Sequence, residues 1–416
     1  MSDFDSLFRR ESGRLVAALT RVLGVHHLAL AEDVVQDAFC QALEVWPFRG
    51  VPDNPSAWLM TAAKRRAIDV LRRERTARTF APEIGRLVDS EWTLVPAVEA
   101  QFAEHAIRDD LLRMMFSCCH PRLKEEAQVA LMLHILCGFS AREVAAAFVA
   151  GPAAIEKRIT RAKNVLARSR RLFDLARGDD VLARLPAVQR ALYLLFNEGY
   201  HGASAGAAVR SELCGEALRL TGLLCADPRT ATPSTYALSA LLCLHVARLP
   251  ARMDAEGELL SLFDQDRGRW DRARITEGER LLERSATGDT LSEYHLEAAI
   301  AWVHAVASRV EDTDWERIVT LYDQLIRIRP SPVVALNRAI AVAQRDGPER
   351  GLTELGAIAD RDRLAGYPFY AAAQGELELR CGRAEAAREH FRTALGLARN
   401  PNERRFFRQR VMACAG

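Results

Sequence analysis

Residues 140–163 constrain the fold of this chain more than any other stretch, because their pattern predicts two short helices joined by a turn. Ser140 is a favourable N-cap residue for the first helix. Gly151 and Pro152 then end that helix, since proline disfavours helix at the preceding residue and favours the first turn of a new one. The apolar face of the first helix has three members: Val144, Ala145 and Phe148.

The second helix of this pair is basic. Ile155, Ile159 and Ala162 form its apolar stripe, and residues 157–171 hold seven Lys/Arg and no Asp/Glu. A helix pair whose second member is this cationic suits entry into a DNA major groove, where phosphate charge must be neutralised. The alternative is a solvated basic face on an ordinary helical hairpin.

Length and composition limit the number of domains and the class of protein. A chain of 416 residues predicts two to four domains, and 49% hydrophobic residues is typical of globular proteins. No apolar run is long enough to cross a membrane, and the charged start of the sequence predicts no signal peptide. Nine scattered cysteines fit a reducing compartment. We therefore expect a cytoplasmic protein without membrane contact.

The formal net charge is only +2, but it is uneven along the chain. Residues 1–172 carry 25 Lys/Arg and 21 Asp/Glu, a net of +4, and the remainder carries 32 and 34, a net of −2. Any binding of nucleic acid therefore concerns local patches in the front part of the chain.

Helical periodicity runs almost throughout and no alternating strand pattern occurs, which predicts an all-α protein. In the first unit, 1–75, we expect three helices and a loop at 47–55, with Ser56 as the N-cap of the third helix. The three helices are expected near residues 5–23, 30–44 and 56–75. The further predicted segments are a linker at 76–106, a second unit at 107–172, a joint at 173–182 and a helical region at 183–416.

The last region contains a weak repeat. Gly347 and Gly382 are 35 residues apart, each between two helical segments. Residues 382–398 place Ala387, Phe391, Ala394 and Leu395 at the spacing of the second helix of a tetratricopeptide repeat. This period predicts stacked helical hairpins with a concave groove. Residues 183–310 show no fixed period, so an irregular helical bundle stays an equal alternative there.

Three blocks and the helix pair, in this order, resemble a bacterial RNA polymerase sigma factor of the extracytoplasmic-function group. The blocks are AEDVVQDAF (31–39), WPFRGVPDNPSAWL (46–59) and AAKRRAIDVLRRER (62–75). The resemblance implies a helical sigma domain 2 in 1–75 and a helix-turn-helix sigma domain 4 in 107–172. The rest resembles the long, repeat-containing C-terminal extension of one subgroup.

In the first block, Val34, Val35, Ala38 and Phe39 can pack inward while polar residues face outward. In the family this helix docks on the clamp helices of core RNA polymerase, which implies four contact residues here: Glu32, Asp33, Gln36 and Asp37. Taken alone, the same pattern also fits an acidic helix exposed to solvent.

The second and third blocks combine aromatic and basic residues, which suits stacking on an unpaired base and following a phosphate backbone. The resemblance implies contacts to the −10 element from nine residues: Trp46, Phe48, Arg49, Asn54, Lys64, Arg65, Arg66, Arg72 and Arg73. The alternative is that Trp46 and Trp58 anchor the core, and for Trp58 we favour core packing.

For the −35 element, the candidates lie on the second helix of the pair: Ala154, Lys157, Arg158, Arg161 and Lys163. Elsewhere, Cys118, Cys119 and His120, with His134 and Cys137 nearby, lack the spacing of a metal motif. No catalytic motif occurs either. We therefore expect no metal, no cofactor and no enzymatic activity.

Together these patterns predict a promoter-specificity subunit whose partners are core RNA polymerase and promoter DNA. We expect residues 183–416 to regulate it in cis, in the place of a separate anti-sigma factor, with a groove that could bind a protein or peptide. A passive extension is the simpler alternative. Two other classes stay open: a free-standing helix-turn-helix regulator and a helical repeat scaffold.

Overall fold

The computed structural model describes residues 2–77, 109–148, 150–168, 178–201, 209–254 and 260–414. Over these ranges the chain forms eighteen α-helices and no β-strand, which confirms the predicted all-α class. The first two residues of the predicted linker 76–106 end a helix, and the others lie outside the described residues.

The chain divides into two compact units, Met1–Leu195 and Phe196–Gly416, here called unit 1 and unit 2. Seven helices lie in unit 1: α1 Ser2–Leu23, α2 Leu28–Arg49, α3 Pro55–Ala77, α4 Asp110–Cys118, α5 Glu125–Ile135, α6 Ala141–Phe148 and α7 Pro152–Ala167. The division falls inside α8, Gly178–His201, and not at the predicted joint 173–182, of which 173–177 lie outside the described residues.

Ten helices follow in unit 2. The first five are α9 Ser211–Ala226, α10 Pro233–Val246, α11 Arg272–Ser285, α12 Glu293–Val306 and α13 Trp315–Ile328. The last five are α14 Pro332–Asp346, α15 Pro348–Gly356, α16 Pro368–Arg380, α17 Ala384–Leu397 and α18 Pro401–Ala413. Most connections are short, but α10 and α11 are joined by the long segment 247–271.

Unit 1 is held by a close approach between α1 and the end of α5. A Cβ atom placed on Gly13 of α1 would lie 1.9 Å from the carbonyl oxygen of Leu136. Only glycine fits at this contact, because any larger residue would collide with backbone rather than with a flexible side chain. Residues that are more than a hundred positions apart in the sequence therefore share one core.

Two predicted boundaries in unit 1 were wrong. Helix α2 continues through Pro47 to Arg49, so the predicted loop 47–55 shortens to 50–54. Proline removes one helical hydrogen bond, but it lies in the last turn, where Gly50 at φ 81° ends the helix. The N-cap of α3 is Asn54 and not Ser56, since the Asn54 Oδ1 accepts a hydrogen bond from the Ala57 N–H at 3.0 Å.

In unit 2, helices α12 to α18 form successive hairpins whose cores overlap along the chain. One apolar cluster is shared by α12, α13 and α14, the next centres on α14, α15 and α16, and the last on α16, α17 and α18. Each helix pair therefore packs mainly on its neighbours, as in repeat proteins.

The two glycines that indicated a repeat in the sequence lie at equivalent positions of this helical array. Gly347 and Gly382 each separate two helices, with φ angles of 98° and 76° that favour glycine. On α17, Ala387, Phe391 and Ala394 are buried as expected. The relation of these hairpins to tetratricopeptide repeats stays a prediction.

Candidate nucleic-acid interface

Helix α2 separates apolar from acidic side chains, as its pattern predicts. The inward residues are at most 3% exposed: Val34, Val35, Ala38 and Phe39. On the other side Asp33, Gln36 and Asp37 are exposed, and Glu32 is half-buried. The burial of one apolar stripe thus leaves a carboxylate-rich face on the opposite side of the helix.

One carboxylate of this face is bound to helix α7. The Lys163 ammonium lies 2.9 Å from Oε1 of Glu32, and the side chains are only 29% and 14% exposed. Ala162, which precedes the lysine, is fully buried. The structure therefore joins a candidate polymerase contact to a candidate DNA contact. The sequence pattern contains no sign of this pair, whose members are 131 residues apart.

A second pair joins α2 to α3. The Arg66 Nε donates to Oδ2 of Asp37 at 2.8 Å, with both side chains about half exposed. Arg65, Arg72 and Arg73 are exposed on the same helix, and Lys64 is half-buried. Because the basic stripe of α3 borders the acidic face of α2, these candidate surfaces lie side by side.

The aromatic residues of the 46–58 region have different environments. The Trp46 ring is 7% exposed and packs edge-on against Trp58 at 5.4 Å and Phe4 at 5.9 Å between ring centres. Trp46 is thus a core residue in this structure and does not present its ring for stacking on a base. Phe48 is 89% exposed, and the adjacent Arg49 is exposed too.

An apolar groove of about 800 Å³ lies between α1 and α2, next to this aromatic region. Its lining includes Phe4, Phe8 and Phe39, with the exposed side chains of Leu43 and Val51 at its edge. This groove was not predicted from the sequence. The signal was present, because Leu43 and Val51 are apolar residues outside the buried stripe of α2.

Helices α6 and α7 follow one another closely, in the predicted order, and of the residues between them Val149 lies outside the described residues. The Ser140 Oγ accepts a hydrogen bond from the Glu143 N–H at 3.2 Å, and Oε2 of Glu143 accepts one from the Ser140 N–H at 2.8 Å. These reciprocal bonds form a capping box. The predicted cap at Ser140 is confirmed. The contribution of Glu143 to the capping box was not predicted, although a Glu three residues after a Ser cap is the usual sequence signal for this motif.

On α7 the apolar stripe is buried, with Ile155 at 0% and Ile159 at 4% exposure. The candidate residues Ala154, Lys157 and Arg161 are exposed on the other side. Arg158 is half-buried, and its Cζ atom lies 5.8 Å from the ring centre of Phe148 on α6. Three of the five −35 candidates are therefore accessible, while Arg158 and Lys163 contact other helices of unit 1.

Cys118, Cys119 and Cys137, the cysteines of the cluster around α4, are buried. Burial raises the pKa of the Cys118 thiol well above its ordinary value and that of Cys119 to about 12. Such thiols stay protonated at neutral pH. The part of the chain that the structure describes contains no group of three potential ligands that could hold a metal ion. None of its helices is long and apolar enough to cross a membrane.

Comparison with known proteins agrees with this arrangement. Residues 7–77, which lie in α1 to α3, match the Sigma-70 region 2 family. Residues 184–286 match a family of unknown function (DUF6596). An uncharacterized protein of Rhizobium meliloti is 39% identical over 404 residues, a match that covers 95% of this chain and 94% of the relative. The chain belongs to the same family as that protein. No solved structure matches the present chain.

The Glu32–Lys163 pair makes a testable contribution to stability. We expect Glu32→Lys and Lys163→Glu each to weaken the packing of α7 on α2, and the double variant to recover about 1 kcal/mol, because the pair is partly shielded from water. Native-state hydrogen exchange of α2 and α7 amides measures this coupling. The exposed pair Asp37–Arg66 is the matched control, with an expected coupling below about 0.5 kcal/mol. Equal coupling in both pairs would contradict the prediction.

Proposed function

We propose that this protein is a sigma factor, which binds core RNA polymerase and directs it to promoters. The observation that carries the proposal is the sigma-70 region 2 match of residues 7–77, on helices that place an acidic face beside a basic one. The proposal needs no catalytic residue in this chain, since the polymerase supplies the chemistry, and it places the protein in the cytoplasm. It extends to the extracytoplasmic-function group, because the helix pair α6–α7 lies where that group has its second DNA-binding domain.

In this proposal the polymerase binds the acidic face of α2. Glu32, Asp33, Gln36 and Asp37 supply the polar contacts, and the apolar groove beside α2 adds contact area. Phe48 takes the stacking role on an unpaired base, since its ring is exposed whereas that of Trp46 is buried. Arg49 and the cations of α3 follow the DNA backbone near the −10 element, and Asn54 contributes from the cap of α3.

The exposed face of α7 reads the −35 element in this proposal. Ala154, Lys157 and Arg161 can reach base edges or phosphates without rearrangement, because they point away from the buried stripe. Lys163 is available only when its ion pair with Glu32 opens. The same opening exposes Glu32 to the polymerase. In this proposal only Glu32 and Lys163 depend on that opening, since the other candidate residues of α2 and most of those of α7 are exposed already.

Transcription in vitro with purified core polymerase tests the proposal. We expect this protein to direct initiation at a specific promoter, and Asp33→Arg to reduce it strongly, since the change places a cation in the acidic face. Glu126→Arg, at an exposed acid on α5, is the matched control and should leave initiation unchanged. If the protein directs no initiation but binds duplex sites tightly by itself, it is a free-standing helix-turn-helix regulator.

The two basic helices should contribute to DNA binding in different ways. We expect Arg72→Gln and Arg73→Gln to weaken binding to all promoters and to reduce the salt dependence, because phosphate contacts release counterions. Lys157→Gln should cost about 1–3 kcal/mol and relax preference at one upstream position. Binding of the polymerase complex to promoter and random DNA at several salt concentrations measures both effects, with Arg122→Gln as control. Equal losses on both DNAs for every variant would contradict this division.

We further propose that unit 2 regulates the sigma module in cis. The motivation is its size and its regular helical hairpins, which we interpret as tetratricopeptide-like and which offer a surface for a peptide or a partner domain. Val181 and Leu185 of α8 are buried residues of unit 1.

Removal of unit 2 tests this regulation. The chain should end after His201 and not after Asp179, because the earlier end would remove Val181 and Leu185 from the unit 1 core. We expect promoter-dependent transcription to change severalfold: a rise indicates autoinhibition, and a loss indicates that unit 2 helps to assemble the active complex. Circular dichroism controls for folding of the shortened chain. Activity equal to that of the full-length protein would identify unit 2 as a passive extension.

A further inference from the structure

A single carboxylate lies among the exposed cations of α7, the helix that reads the −35 element in the proposed function. Glu156 is the only acidic residue of Pro152–Ala167, and it is exposed, as are Lys157 and Arg161. All three lie outside the buried apolar stripe of the helix. The glutamate therefore belongs to the surface that meets the phosphate groups of a duplex, where a negative charge is unfavourable.

Interactions within the helix do not account for this glutamate. A glutamate stabilises a helix through a cation three or four residues away or through the dipole at the N-terminal turn. The residues at these distances from Glu156 are Pro152, Ala153, Ile159 and Thr160, and none of them is a cation. The first turn of α7 contains no acidic residue, so Glu156 lies beyond it. The charge pattern of α7 thus gives the carboxylate no partner on its own helix.

The side chains around Glu156 allow it to approach the bases closely. In a helix pair of this kind, the N-terminal residues of the second helix contact base edges. Ala153 and Ala154 of the first turn are exposed and end at their Cβ atoms, so they keep no long side chain between the helix and the groove. The Thr160 hydroxyl donates to the carbonyl oxygen of Glu156 at 2.9 Å and is thereby occupied on the helix itself. Glu156 is therefore the first polar side chain of α7 that can reach a base.

A carboxylate only accepts hydrogen bonds, and this restricts the bases that it can bind. In the major groove cytosine presents an amino donor, whereas guanine presents two acceptors and thymine presents one acceptor and a methyl group. Adenine presents an amino donor beside the acceptor N7, which repels a carboxylate. Cytosine is therefore the base that a glutamate favours, and guanine is the base that it excludes most strongly.

We propose that Glu156 reads a cytosine of the upstream element by accepting a hydrogen bond from the N4 amino group of that base. The inference rests on the proposed function in so far as α7 enters a major groove, and it holds equally for a protein that binds duplex sites without polymerase. The unfavourable carboxylate then becomes a source of specificity, because any base without a suitable donor leaves its charge unpaired beside the phosphates.

Selection from a pool of promoter duplexes with a randomised upstream element tests the assignment. The full-length protein with core polymerase binds the pool, and sequencing of the bound fraction gives the preference at each position. We expect the parent to favour cytosine over guanine at one position by about 5-fold or more. Glu156→Ala should remove the preference at that position alone. Glu156→Gln should change it to adenine, because an amide pairs with both N6 and N7 of that base.

A matched control and a second measurement separate base reading from a general effect of charge. Glu126→Gln removes an exposed acid of α5 and should keep the preference of the parent at every position. Both substitutions at Glu156 should bind random duplex more tightly than the parent, by a factor that decreases at high salt, because they remove a negative charge.

The outcomes distinguish this inference from the proposed function. If both Glu156 variants keep the preference of the parent at every position, the residue is a solvated side chain and the inference is wrong. Weaker binding of both variants to all sequences indicates a structural role and also overturns it. If the parent selects a sequence only without polymerase, the sigma-factor proposal fails, and the same variants still decide the role of Glu156. If the parent selects no sequence in either case, both proposals are wrong.

Discussion

Each helix of this protein must bury one apolar stripe against its neighbours, and this packing holds the fold together. All nine cysteines are free thiols, so no covalent cross-link substitutes for it. A fully buried Leu or Val contributes about 1.5–3 kcal/mol, whereas an exposed ion pair contributes about 0–1 kcal/mol. The stripes therefore determine how the helices are oriented. The opposite, exposed faces contribute little to stability. On α2 this face carries acidic side chains, and on α7 it carries basic ones.

This dominance of local stripes explains what could be predicted from the sequence. The buried residues Val34, Val35, Ile155 and Ile159 follow from periodicity alone, and the Ser140 cap follows from its place before an apolar run. The errors occurred where two local rules compete. At Pro47 the apolar packing of α2 outweighed the tendency of proline to end a helix. At the start of α3, Asn54 took the cap because Pro55 already occupies the first helical position.

The pairing of distant residues could not be predicted in this way. Periodicity shows which face of a helix is charged, but not which helix lies opposite. The Glu32–Lys163 pair and the burial of Trp46 between two other rings depend on how unit 1 packs as a whole. The assignment of individual residues to polymerase or promoter contacts stays a prediction.

The close approach of Gly13 to Leu136 has a consequence for the chain during its synthesis. In α12 to α18 of unit 2, three apolar clusters each lie within three consecutive helices, so a hairpin there can pack soon after it leaves the ribosome. In unit 1, the contact of Gly13 in α1 with Leu136 forms only after more than a hundred further residues have been made. Until then Glu32 of α2 lacks its partner Lys163 on α7. We therefore expect the Glu32 carboxylate to be exposed in the nascent chain and to become shielded only when α7 has been made.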